Sequence, residues 1–104
     1  MVYKTIMAKA QLILKNKIIH SNGDIEELVI WKLPKKTKYF PKGIKYRLYY
    51  GNSKGECLVR YDNERGKGHH KHFLGNEYSY DFHSVEQLIN DFVDDINNVR
   101  RRKL

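Results

Sequence analysis

Cysteine is nearly absent from this chain, and that shortage excludes two classes of protein at once. Cys57 is the only one, so neither an internal disulfide framework nor a zinc site built on several thiolates is available. Its setting, Glu56-Cys57-Leu58-Val59-Arg60-Tyr61, reads as strand and predicts a small buried hydrophobe rather than an activated thiol. Long apolar runs are missing too. No stretch approaches the ~20 residues that a membrane-spanning helix needs, so no membrane association is expected. The opening MVYKTIMAKA is charged and too weakly apolar for a secretory signal, which places the expected location in the cytoplasm. There is no internal repeat, low-complexity tract or dividing linker, so one domain over residues 1–104 is expected, with a modest core.

Acidic residues are the other shortage: 12 Asp and Glu stand against 20 Lys and Arg, a net charge of +8. The imbalance is local. Leu28 to Gly55 holds eight Lys or Arg and no acid, whereas Ser84 to Val99 holds Glu86, Asp91, Asp94 and Asp95 with no base, before Arg100, Arg101, Arg102 and Lys103. A basic body with one acidic element points to a polyanionic partner, most simply nucleic acid, against the plainer reading of solubilising charge.

The pattern of apolar residues predicts strands followed by one helix. Lys9 to His20 reads as a strand interrupted by a turn or bulge at Lys15-Asn16-Lys17, and Ser21-Asn22-Gly23-Asp24 as a turn. Ile25 to Leu33 is rich in Val, Ile and Trp, as strands are. Ile44 to Tyr50 alternates, with Ile44, Tyr46, Leu48 and Tyr50 on one face and Lys45, Arg47 and Tyr49 on the other. Glu56 to Asp62, His69 to Leu74 and a short Tyr78 to Phe82 segment complete the strands. From Val85 onward, Leu88, Ile89, Phe92, Ile96 and Val99 recur at helical spacing, with Ser84 and Gln87 placed for a capping box. The expected class is α+β: an antiparallel sheet of about five strands over residues 9–82, with one C-terminal amphipathic helix, residues 84–102, packed on one face.

Two groups of residues could carry chemistry. The polar sheet face offers Lys45, Arg47 and Arg60 with Tyr49 beside them: guanidinium groups grip phosphate through paired hydrogen bonds, and tyrosine stacks on an unpaired base. The second group is Tyr61-Asp62-Asn63-Glu64-Arg65-Gly66-Lys67-Gly68-His69-His70-Lys71-His72, which holds three of the five histidines. Metal-free RNA cleavage needs a base for the ribose 2′-hydroxyl, an acid for the departing oxygen and cations around the transition state. Asp62, Arg65, Lys67, His69, His70 and His72 supply those group types, and Lys71 adds a phosphate contact. The plainer readings are a hairpin loop shaped by Gly66 and Gly68, and ordinary turn residues at Asp62 and Asn63. His70 and His72, two apart, would share a strand face and suit a metal ion, with Asp62 as a third ligand, but Lys67 and Lys71 oppose a bound cation. No cofactor or metal is expected. Hairpin register stays open: symmetric pairing sets Asp62 against His69 and Arg60 against Lys71, whereas a one-residue slip sets His70 and His72 beside them. His20 and His83, flanking a turn and the helix cap, are read as structural or solvated.

The YDN-x-x-GKG-x-H-x-H string resembles the TumE family, toxins of type II toxin–antitoxin pairs. The resemblance extends to AKAQLILKNKIIHSNGDIEELVIWKLP, to IKYRLYYGN and to Phe82-His83-Ser84, nearly the whole chain. The family commonly has an acidic residue where this chain has His69, which moves the catalytic expectation toward Asp62, Lys67, His70 and His72. The resemblance implies a growth-inhibiting toxin with a cognate antitoxin, often a small DNA-binding protein, and implies nuclease activity less directly. Homo- or hetero-oligomerisation is left open.

Overall fold

The computed structural model describes residues 9–64 and 66–102. Six strands run as an antiparallel meander in the order β1-β2-β3-β4-β5-β6: β1 Gln11–Ile19, β2 Ile25–Lys32, β3 Ile44–Gly51, β4 Cys57–Asp62, β5 His70–Phe73 and β6 Asn76–Ser79. One helix, α1 Val85–Arg102, follows. The α+β class stands, with six strands where about five were expected. No described helix is long and apolar enough to cross a membrane.

The core lies between α1 and one face of the sheet. Leu88, Phe92, Ile96 and Val99 of the helix are buried with Ile30, Tyr46, Leu48, Tyr50, Val59 and Tyr61 of the strands. The strand residues are even-numbered on β2 and β3 and odd-numbered on β4, as alternation across an antiparallel sheet requires. The helix covers the middle of the sheet, across β4. Among the described residues the edge strand β1 is left largely uncovered, with only Leu14 of the strand packed against the core.

The acids of α1 have a use beyond the helix dipole. Tyr61 Oη donates to Asp95 Oδ2 at 2.5 Å, Lys71 Nζ donates to the same oxygen at 2.9 Å, and Tyr80 Oη donates to Asp91 Oδ2 at 2.6 Å. These bonds fasten α1 to strands β4 and β5 and to the segment that follows β6. Burial, then the facing carboxylates, push the Tyr61 and Tyr80 hydroxyls far above their ordinary range, so both remain donors.

Local details depart from expectation in four places. The irregularity in β1 falls between Leu12 and Leu14, and Lys15-Asn16-Lys17 continues the strand. Ser84 Oγ does accept from Gln87 N at 3.0 Å, but the Gln87 amide donates forward to Asp91 at 2.8 Å instead of closing the box. Cys57 is exposed at the first position of β4. Strand β6 begins at Asn76, earlier than expected, because Leu74 and Gly75 both take positive φ (48° and 87°) and close a two-residue turn between paired Phe73 and Asn76.

Candidate functional site

The face of the sheet opposite α1 carries the candidate site, and register assembles it. Asp62 of β4 pairs with His70 of β5, and Arg60 pairs with His72. The one-residue slip is therefore the arrangement adopted, and both histidines share a face with the arginine and the aspartate. Asn63 fixes this end of the sheet. Its Oδ1 accepts from Tyr46 N at 2.9 Å and its Nδ2 donates to Ile44 O at 2.7 Å, so the side chain continues the β3–β4 ladder where the backbone turns away. Gly66 and Gly68, at φ +84° and +71°, then carry the chain through a loop that returns at His70.

Four side chains form a continuous polar chain across β4 and β5. His70 Nε2 lies 2.7 Å from Asp62 Oδ1, Arg60 Nε lies 3.0 Å from Asp62 Oδ2, and Arg60 Nη2 lies 2.8 Å from His72 Nε2. Asp62 and His70 are buried, 5% and 6% exposed. Asp62 Oδ1 and Arg60 Nε meet their partners at ion-pair distance but off the line of a hydrogen bond, so among the described residues two buried polar atoms are left without one. Such atoms are uncommon in folded proteins and mark places where a ligand could supply the missing bond.

The two histidines are set up differently. His70 Nδ1 faces Gly68 O at 3.1 Å while Nε2 faces the Asp62 carboxylate, so both nitrogens look at oxygen acceptors and the ring is arranged as a donor. His72 Nε2 faces a guanidinium, which only donates, so this nitrogen accepts and the ring proton sits on Nδ1. Burial, then the charge of Arg60, lowers the His72 pKa below the usual imidazole value and favours that neutral form.

The remaining candidates divide cleanly by face. Lys45, Arg47 and Tyr49 of β3 share the open face, Arg47 opposite Asp62 and Tyr49 opposite Arg60. The Arg47 guanidinium lies 5.4 Å from the Tyr49 ring centre. Tyr49 lies over Gly51, where an added Cβ would come within 2.7 Å of Tyr49 Cζ and 2.9 Å of Glu56 O, so glycine is what lets the ring sit flat there. Lys71 points the other way, into the Asp95 and Tyr61 contacts of the helix side. His69 is also away from the open face: its ring stacks on Phe82 at 5.0 Å between centres, and its Nδ1 is 2.8 Å from Tyr46 Oη. Burial, then Lys42, lowers its pKa. Lys67 is exposed in the loop, and Arg65 lies outside the described residues. His20 pairs with Glu26 at 2.5 Å and His83 sits exposed near Asp81.

Two residues escaped the sequence reading. Glu77 of β6 pairs with His72 in register, and His70, His72 and Glu77 offer ligand atoms all within 4.8 Å of one another, a set able to hold a metal ion. Only the sixth strand could have revealed it. Trp31 of β2 joins Lys45, Arg47, Asp62 and Glu64 around an open cleft of about 230 Å³, and its odd position in β2 was the available signal.

A family model described as Toxin TumE matches residues 3–100. The chain belongs to the TumE toxin family. That membership covers nearly the whole chain, open face included, and implies a partner in a toxin–antitoxin pair. No curated protein and no solved structure matches it.

Proposed function

We propose that the chain is the toxin of a type II toxin–antitoxin system and an endoribonuclease that cleaves RNA without a metal ion. The observation that carries this reading is the Asp62–His70 and Arg60–His72 cross-strand pairing, which sets one donor-arranged and one acceptor-arranged imidazole side by side, 5.4 Å apart, among cations.

In this reading Arg47, Lys45 and Arg60 hold the backbone phosphates and Tyr49 stacks on a base. A phosphate that draws the Arg60 guanidinium frees His72 Nε2 to accept the proton of the 2′-hydroxyl. The 2′-oxygen then bonds to phosphorus, the bond to the 5′-oxygen breaks, and His70, giving up Gly68 O while Nε2 stays on Asp62, donates its Nδ1 proton to that leaving oxygen. Products are a 2′,3′-cyclic phosphate and a 5′-hydroxyl. Lys67 and Arg65 stabilise the extra charge on the phosphorane-like transition state. Asp62 positions His70. The cognate antitoxin, a small DNA-binding protein, would neutralise the toxin by laying an acidic segment over the basic face, stabilising the occluded form by mass action.

The test is incubation of the purified protein with RNA in EDTA, beside His70→Ala and His72→Ala. Cleavage by the wild type, ending in cyclic phosphate, with loss in both variants is the expected result. Undiminished cleavage by both variants removes histidine catalysis. The second reading, a metal-dependent nuclease, is favoured by the clustering of His70, His72 and Glu77. It predicts silence in EDTA and recovery with Mn²⁺ or Mg²⁺. Salt-sensitive RNA binding without turnover under either condition would instead identify a non-enzymatic binder.

A further inference from the structure

The cleft beside Trp31 shares Arg47 and Asp62 with the proposed catalytic row and extends along β2 away from the histidines. Trp31 is two residues along β2 from Val29, which stands in the same cross-strand row as Arg47, Asp62 and His70. At ~3.4 Å per residue the offset is about 7 Å, close enough for one strand of RNA to meet both places. The cleft, about 230 Å³, is smaller than the roughly 300–1,000 Å³ that encloses a drug-sized ligand. It suits a single ring system. Its walls combine an indole, two cations and two carboxylates: Trp31, Lys45, Arg47, Asp62 and Glu64. Asp62 is 95% buried, and its Oδ1 meets His70 Nε2 at 2.7 Å but makes no in-line hydrogen bond among the described residues.

We infer that this cleft is a base-recognition subsite that selects guanine in single-stranded RNA. The inference rests on the RNA-cleaving reading for its setting and deepens it by naming the nucleotide. An indole beside cations is a stacking platform for a base whose phosphate the cations hold, and stacking by itself tolerates any base. Selection comes from the carboxylate. An ionised carboxylate only accepts hydrogen bonds, and guanine alone among the four bases presents two adjacent donors, N1–H and the N2 amine, on its pairing edge. Cytosine offers one amine beside an acceptor, adenine the same, and uracil a single N–H between two carbonyls. Glu64 is the exposed carboxylate of the cleft and can take the paired donors. Asp62 is committed to His70 and Arg60, so it forms the wall toward the catalytic row.

Trp31 is the only tryptophan in the chain, so its fluorescence reports this cleft directly and needs no turnover. The experiment titrates the full-length protein with the 5′-monophosphates of guanosine, adenosine, cytidine and uridine. Expected is quenching by all, with guanosine monophosphate at least about tenfold tighter, the discrimination a good paired contact gives. Glu64→Gln should erase that preference while leaving the quench, and Lys45→Ala should weaken all four alike. Equal affinity for the four nucleotides, or a preference that survives Glu64→Gln, overturns the guanine assignment. Absence of any quench overturns the subsite itself. Selective quenching by a protein that cleaves no RNA supports the subsite and overturns only the nuclease reading. Cleavage without selective quenching does the reverse.

Discussion

On β4, alternate residues meet opposite fates. Val59 and Tyr61 face α1 and are buried among Leu88, Phe92 and Ile96, whereas Arg60 and Asp62 face away and lie against His70 and His72. Both faces contain a carboxylate paired with a cation, Asp95 with Lys71 on the helix side and Asp62 with Arg60 on the other. The helix-side pair is the better satisfied: Asp95 Oδ2 accepts from both Tyr61 and Lys71 at the margin of an apolar core. On the open face, Asp62 Oδ1 and Arg60 Nε are buried and off-line. A face that only had to stabilise the fold would have been cheaper built from apolar residues, since buried ion pairs seldom outdo well-packed hydrophobes. Polar groups concentrated on one side of a sheet, with their hydrogen bonding incomplete, are the pattern expected where binding is to finish the work.

The contrast breaks if the two faces cannot be damaged separately. His70→Ala and His72→Ala should each lower RNA cleavage by about 10²- to 10⁴-fold, the contribution of a positioned acid or base, while His72→Ala leaves the thermal midpoint nearly unmoved. Phe92→Ala should do the opposite. It removes a fully buried ring from the helix side and should cost about 3–5 kcal/mol in denaturant unfolding, while cleavage per folded molecule stays near the wild-type rate. A large loss of stability in His72→Ala, or of specific activity in folded Phe92→Ala, would show that the faces are coupled.

Much of this division was written in the alternation of β3, where Tyr46, Leu48 and Tyr50 went to the core and Lys45, Arg47 and Tyr49 to the open side, as period-2 patterning demands. The helix was equally legible, from its apolar stripe and its cap. The site was not, because its composition depends on register. Nothing in the letters fixes how many residues the loop after Asp62 consumes. That number is set by the Asn63 amide bridging to β3 and by two left-handed glycines, and one residue fewer would have placed His69 and Lys71 on the open face in place of His70 and His72. Strand β6 was misplaced for a related reason. All four of its residues are exposed, so no apolar alternation announces it, and its turn uses Leu74 at a positive φ that leucine rarely adopts. Trp31 read as one more strand former, since only the folded sheet brings it beside Lys45 and Glu64.

Smaller effects sharpen the division of labour within the open face. Tyr49→Ala should weaken binding of single-stranded RNA by about 1–3 kcal/mol, the worth of one aromatic stack, without the loss of turnover seen for the histidines. Gly51→Ala should reproduce part of that loss, because the added methyl would meet the Tyr49 ring and the Glu56 carbonyl. RNA affinity unchanged in both variants would remove Tyr49 from the interface and leave its ring as a cover for Gly51.

The smallest expected effect is on pH dependence, and it separates two histidines that share a shift but not a face. His69 and His72 are both held below the ordinary imidazole value of 6.5, each chiefly by burial, with Lys42 adding to the effect on His69 and Arg60 on His72. In the unfolded chain both return to about 6.5. Between that value and the lower folded ones, the unfolded state binds more protons than the folded state, so stability rises with pH through this window and falls as the solution is acidified. The contribution is fully present above pH 6.5. His69→Gln and His72→Gln should therefore each flatten the decline of the thermal midpoint below pH 6.5. Activity should respond to only one of these sites. The acid limb of the cleavage profile should lie below the ordinary imidazole value, because His72 must accept a proton, and Arg60→Gln should move that limb to higher pH by removing the cation that disfavours protonation. His69→Gln, altering a ring stacked on Phe82 behind the sheet, should leave the limb where it was. A limb that follows His69 and ignores Arg60 would transfer the base from the open face to the loop.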